Sequence, residues 1–196
     1  MSVLDVKIGV KIPATDLQIS AYWGLEREGT TEGLGFNKEG HIFTFNNQIL
    51  PSVTWILKQM GLTPDYSLID PFYATRGRYL HRATELYDKD TLDIETLDDE
   101  IAPYFEQYIE SKKEFPFEII EIEAKKRHPI HGYAGIIDRI ITGNKSYVLY
   151  LTKENFKLVE VTNMRHNLNI FLSALNVYRW KEQNLKEATN GSNYQM

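Results

Sequence analysis

Tyr133-Ala134-Gly135-Ile136-Ile137-Asp138-Arg139-Ile140-Ile141-Thr142 reads as a strand of branched apolar residues interrupted by one carboxylate. A carboxylate buried in such a strand costs several kcal/mol unless it is paired or bound to a cation, so Asp138 needs a partner. Arg139 points to the opposite face of the strand and is not expected to be that partner. The choice for Asp138 lies between a structural ion pair and a functional site on a central strand.

Working outward, residues 117–126 form the strand facing this one across a turn at His128-Pro129, and residues 147–151 pair with 156–161 as a further hairpin. Helices are expected over 71–87 and 98–114, the latter with an acidic first turn that suits the helix dipole. A last helix, 168–185, carries Leu168, Phe171, Leu172 and Leu175 at core-facing spacing. Earlier in the chain, 41–45 is a strand turning at Asn46-Asn47, and Pro51 and Ser52 start a helix running to about Gly61. The opening stretch, Val3 to Val10, is a buried strand that contains two charges, Asp5 and Lys7. Thr15 or Asp16 caps a short helix, Leu17 to Leu25, and Glu26 to Gly35 reads as a mobile connection. The polar tail after Glu187 reads as disordered. The class is mixed α/β, a central mixed sheet flanked by helices.

With 196 residues, of which 42% are apolar, the chain has enough material for a single sizeable core. It contains no cysteine, which removes thiol catalysis, disulfides and thiolate-bound metals, so any cation must sit on Asp, Glu, His or backbone oxygen. No apolar stretch reaches bilayer length and the start has no signal-peptide pattern, so a cytoplasmic protein is expected. The net charge of −5 provides no global basic field for nucleic acid. A DNA-binding surface would have to be local, and carboxylates that hold a divalent cation would account for part of the negative charge.

Three further clusters carry chemistry. Gly77-Arg78-Tyr79-Leu80-His81 lies at the start of a helix continuing to Glu85, and His81 and Glu85, one turn apart, could ligate a metal or form a modest i,i+4 pair; taken alone, the pair is the better reading. Asp5 and Lys7 share one face of their strand, where the carboxylate can hold a metal while the ammonium orients water. The acid-x-Lys pattern is weak by itself, since chance gives about two such triplets in this composition and Glu110-Ser111-Lys112 and Glu123-Ala124-Lys125 share it. Gln18 and Tyr22 stack one turn apart on the helix that follows the Asp5 strand.

Together these clusters resemble the PD-(D/E)XK nucleases, in particular the RecB-type and lambda-exonuclease-like branch found in phages and prophages. That family combines a G-x-x-x-H helix, here Gly77 with His81; a G-x-x-D strand, Gly135 with Asp138; a D-x-K strand, Asp5 with Lys7; and a Q-x-x-x-Y helix, Gln18 with Tyr22. Leu50-Pro51-Ser52-Val53-Thr54-Trp55-Ile56-Leu57 and Gly132-Tyr133-Ala134-Gly135 also look like phage members. The resemblance implies a restriction-endonuclease-like core and metal-dependent cleavage of DNA, as an exonuclease in recombination or DNA processing. His81, Asp138, Asp5 and the backbone carbonyl of Val6 would coordinate Mg²⁺ or Mn²⁺, Lys7 would position the attacking water, and Gln18 and Tyr22 would brace the site and touch the DNA backbone. Glu85 and Glu123 are weaker candidates for added ligands or outer acceptors. A non-catalytic nucleic-acid- or protein-binding relative is the alternative, in which Asp5 and Asp138 lie too far apart to share a metal.

The departure is order, because the D-x-K strand and Q-x-x-x-Y helix precede the G-x-x-D strand here instead of following it. No Asp occurs after position 138, and no later Glu is followed two residues on by Lys. Residues 1–26 are therefore expected to be a relocated segment, 27–40 a linker back to the usual start, and 188–196 a tail, all within one domain. Stepping over one vacant strand position spans roughly 10 Å, which a short connection such as Gly143-Asn144-Lys145-Ser146 covers. Residues 3–10 should then slot between strand 133–142 and strand 147–151. A strand donated by a second copy, in a homo-oligomer, would build the same site.

Overall fold

In the computed structural model, which describes residues 1–8, 12–64 and 70–190, the central sheet has the order β5-β6-β1-β7-β8. Its strands are β1 (Ser2–Ile8), β5 (Ile119–Arg127), β6 (Ala134–Ile141), β7 (Ser146–Leu151) and β8 (Phe156–Val161). β1 lies where the sequence placed it, antiparallel to β6 and parallel to β7, and it alone makes the sheet mixed. Val3, Leu4 and Val6 are all buried, the pattern of a strand covered on both faces. The Val3 N–H donates to Ser146 Oγ at 3.1 Å, fixing the edge of the β1–β7 ladder where the chain returns from β6.

One face of the sheet is covered by α1 (Pro13–Glu28), α2 (Val53–Gln59) and α5 (Met164–Asn190), through Ile19, Leu25, Ile56, Phe171 and Leu175. The other face is covered by α3 (Pro71–Asp88) and α4 (Ala102–Glu114), through Leu80, Ala83, Phe105 and Tyr108. A small meander, β2 (Leu34–Asn37), β3 (Ile42–Phe45) and β4 (Gln48–Leu50), forms a second sheet. Its β3–β4 turn is at Asn46 and Asn47, both with positive φ, as their side chains tolerate. The Ser52 side chain caps α2 by accepting from the Trp55 N–H at 3.2 Å. Among the described residues, no helix is long and apolar enough to cross a membrane.

Several boundaries differ from the sequence reading. α1 begins at Pro13 with Ile12 at its N-cap position and no side-chain cap, so neither Thr15 nor Asp16 caps it. A proline in the first turn has no N–H to satisfy, which removes one of the groups a cap would serve. Glu26 to Gly35 is more ordered than a plain connection: α1 continues to Glu28, Thr30 pairs with Arg127, and β2 begins at Leu34. Gly29 ends α1 because a Cβ there would meet the Leu25 carbonyl oxygen at 2.3 Å. α4 starts four residues later than expected and has no acid in its first turn, because Asp98 organises a preceding turn that accepts from Ile101 and Ala102. Gly77 lies inside α3 and not at its start, α5 runs through 188–190, and the expected tail over 191–196 lies outside the described residues, as do 9 and 10 of the first strand.

Beneath α3 and α4 lies a buried ionic network. The Arg139 side chain, fully buried, donates from Nε to Asp88 Oδ2 at 2.9 Å and from Nη2 to Thr84 at 2.9 Å, while Lys112 and Tyr108 complete the Asp88 carboxylate. Removing one member of such a pair leaves an uncompensated charge in the core. Asp88→Ala is therefore expected to lower unfolding stability by about 3–5 kcal/mol in urea denaturation, and Asp88→Ala combined with Arg139→Met to recover part of that loss. A smaller loss in the single variant would show that the network is not a structural anchor.

Candidate metal centre

The β1–β6 ladder runs Ser2–Ile141, Val3–Ile140 and Leu4–Arg139, and then stops. One step further in the same register would set Asp5 opposite Asp138. There the two strands interact through side chains: the Val6 N–H donates to Asp138 Oδ2 at 3.2 Å, and the Asp5 and Asp138 carboxyl groups lie close enough to perturb each other's ionisation. On the other side of β6, Ile122–Arg139 and Ala124–Ile137 pair, which brings Glu123 opposite Asp138. Asp5, Asp138 and Glu123 thus occupy successive strands in one row.

α3 supplies the imidazole. His81 Nε2 lies 2.7 Å from Glu123 Oε1, and Nδ1 lies 3.5 Å from Asp138 Oδ2. Ligand atoms of His81, Glu123 and Asp138 all lie within 4.8 Å of one another, a set able to hold a metal ion. A cavity of about 180 Å³ opens beside them, lined also by Tyr22, His41, Ser52 and Thr54.

From Asp5 a second chain of contacts leads away from the imidazole. Lys7 Nζ is 2.8 Å from Asp5 Oδ2 and donates to Gln18 Oε1 at 3.4 Å, and Gln18 Nε2 donates to the Tyr22 hydroxyl at 3.2 Å. The Tyr22 ring lies against Gly135, where an added Cβ would meet it at 2.8 Å, so the glycine of the G-x-x-D strand is the space that the tyrosine fills. His81, Asp138, Asp5, Lys7, Gln18 and Tyr22 therefore form one continuous run of contacts, all from a single chain. Asp5 and Asp138 are in contact and not far apart.

Two expectations need correction. Glu85 is not a partner of His81: its carboxylate is held by Arg82 at 2.6 Å and Lys89 at 2.7 Å along the helix surface. Glu123 takes the place beside His81. It has φ of +55, unusual for a non-glycine residue in a strand, and that backbone strain is of a kind found at functional sites. Strand alternation cannot foresee this kink, and the resemblance offered Glu123 only as a weaker candidate for an added ligand or outer acceptor. Arg139 turns mainly to Asp88, as expected of the opposite face, but its Nη1 still comes within 3.9 Å of Asp138 Oδ2.

Electrostatics follow from two buried acids, Asp5 and Asp138, in a row with the half-buried Glu123. Burial, reinforced by the Asp5 charge, pushes the Asp138 carboxyl well above the usual carboxylate range. Burial pushes Asp5 the same way, but the Lys7 ammonium and the Asp138 hydrogen bond outweigh it, and its pKa ends lower than usual. Burial would lower Lys7, yet Asp5 more than offsets this and keeps it an ammonium. The Asp138 charge, opposed by burial and aided by Glu123, raises His81 to about 9.

No protein-family model matches this sequence, and no curated protein shows a significant match to it. The function has to be read from the site.

An imidazole raised from 6.5 to about 9 contributes stability that is complete below 6.5 and is lost as the pH rises through about 9. The His81 ring signals in NMR should accordingly titrate with a midpoint near 9 in EDTA. The stability of the cation-free protein should fall across that interval, and this slope should disappear in His81→Ala. A midpoint near the ordinary histidine value would contradict the described contacts.

Proposed function

We propose that the protein is a metal-dependent nuclease of the PD-(D/E)XK kind that hydrolyses DNA phosphodiesters, with its D-x-K strand and Q-x-x-x-Y helix moved to the start of the chain. The observation that carries this reading is the row Asp5–Asp138–Glu123 with His81 at one end and Lys7, Gln18 and Tyr22 at the other. Residues of four short motifs scattered over the sequence lie in one run of contacts, which supports the roles the resemblance assigns them. Contact between Asp5 and Asp138 supports this reading over a binding-only relative, whose acids would be separated.

The donor set suits a hard divalent cation. Carboxylate oxygens favour Mg²⁺ and Mn²⁺, and one imidazole leans toward Mn²⁺ among these. His81, Asp138 and Asp5, with the Val6 carbonyl, are the proposed ligands, and Glu123 is added to them from its position. Val6 turns its N–H to Asp138, and a strand residue aims its N–H and C=O at the same neighbour, which favours the carbonyl pointing into the site. Bound there, Mg²⁺ or Mn²⁺ would polarise the scissile phosphate and acidify a water.

The chain's own groups supply the rest. Lys7, held as an ammonium by Asp5, orients the attacking water by donating to it and stabilises negative charge gathering on phosphorus-bound oxygens; it is not a base. Gln18 accepts from Lys7 and so holds Nζ over the row, while Tyr22 orients Gln18. Glu123 holds the imidazole by its Nε2 side. A setting in a bacterial or phage-infected cell's cytoplasm, and exonuclease in preference to endonuclease action, belong to the same proposal. Exchange of β1 between copies is not needed to complete the row.

Linear DNA should be degraded with Mg²⁺ or Mn²⁺ and not with EDTA, and Lys7→Ala and Asp5→Ala should each cut the rate by about 10²-fold or more. Ligands must lose their protons, so apparent Mn²⁺ affinity measured by calorimetry should rise with pH up to about 9 and level off above it. Cleavage that survives both substitutions would remove β1 from the active site.

A further inference from the structure

A second and larger groove, of about 640 Å³, lies between the β2–β4 sheet, α2 and α5. It shares His41, Ser52 and Thr54 with the cavity beside the metal-binding cluster, so the two adjoin across these residues. We propose that this groove is a track for single-stranded DNA leading into the acidic row, with Trp55 as its base-stacking platform. The proposal rests on the nuclease reading and names the form of substrate that reaches the site.

The sequence of α2 divides cleanly. Ile56 and Leu57 are buried in the core, whereas Thr54, Trp55 and Lys58 face outward along one side of the groove, one helical turn from end to end. Trp55 is 48% exposed, a large apolar ring left open to water. It is nevertheless held: its indole Nε1 donates to the Tyr178 hydroxyl of α5 at 3.3 Å. A ring with fixed orientation loses little entropy when a base stacks on it. Ile42 and Ile49, 38% and 72% exposed, add apolar surface from the small sheet.

Size and charge select the ligand. A volume of about 640 Å³ is within the range of pockets that hold compact ligands and admits one or two unpaired nucleotides, not a duplex. Lys58 offers one cation for a phosphate, but Glu182 also lines the groove and the chain as a whole carries −5. Attachment by many phosphate contacts is therefore excluded as the main source of affinity. Stacking on an aromatic ring needs no cation and is worth about 1–3 kcal/mol per base. The cavity that adjoins the groove is lined by His81, Glu123 and Asp138, so a strand held on Trp55 is directed toward the cluster.

The test is fluorescence-anisotropy titration of a dye-labelled short oligothymidylate in EDTA, which separates binding from cleavage. The wild type should bind it, Trp55→Ala should bind at least about five-fold more weakly, and Trp55→Phe should recover most of the affinity; a labelled duplex of equal length should bind poorly. Equal binding by Trp55→Ala, a preference for duplex, or no binding of the oligonucleotide by the wild type would overturn the track. Hydrolysis of bis(p-nitrophenyl) phosphate by the wild type with Mn²⁺, a substrate too small to need the groove, tests the nuclease reading separately. Hydrolysis without a Trp55 effect refutes the track alone, and a Trp55 effect without hydrolysis supports the track while refuting the cleavage reading.

Discussion

Three carboxylates on neighbouring strands in one row, Asp5 and Asp138 buried and Glu123 half-buried, set the terms for the rest of the structure. Such a row repels itself and is costly to remove from water, so it persists only where positive charge is fixed around it. The protein supplies this charge from two ends: Lys7 beside Asp5 and His81 beside Glu123 and Asp138. Burial and the Asp5 charge shift the Asp138 carboxyl upward, and the Asp138 charge shifts His81 upward. A divalent cation bound among such ligands competes with their protons.

The row exists because β1 enters the sheet between β6 and β7. Without β1, the span from Ile141 to Ser146 would step over an empty position, and Asp138 would face no carboxylate from that side. The strand brings its own support, since α1 follows it directly and carries Gln18 and Tyr22 onto the Lys7 ammonium and into the space left by Gly135. β1 and α1 therefore act as one unit. Placing that unit early or late in the chain changes the loops, not the contacts, which is the physical sense in which the motif order can vary while the geometry is kept.

Much of this was legible in the sequence because charge inside an apolar strand is informative. Asp138 and Asp5 each break an otherwise buried run, and the family resemblance placed residues 3–10 beside Asp138, across a gap that the short Gly143 connection can span. Glu123 was not legible as the direct partner of His81, because its position depends on a positive-φ kink within β5 and ordinary alternation does not reveal kinks. Glu85 looked better on helical spacing alone, yet Arg82 and Lys89 occupy it. The Arg139–Asp88 network was hidden for a different reason: Asp88 closes a helix, and only tertiary packing brings that end beneath β6. The groove beside Trp55 depends on three elements meeting, α2, α5 and the small sheet, and no local pattern announces it.

The central claim is that a strand from the start of the chain completes a divalent-cation site with β5, β6 and α3. The most direct measurement is a crystal structure grown with Mn²⁺, with the metal located by its anomalous scattering. The account expects one peak among His81, Glu123, Asp138 and Asp5, at coordination distances of about 2.0–2.3 Å from ligand atoms of at least His81 and Asp138, with the Asp5 carboxylate turned toward it. A peak elsewhere, or no peak at the cluster at saturating Mn²⁺, would contradict it.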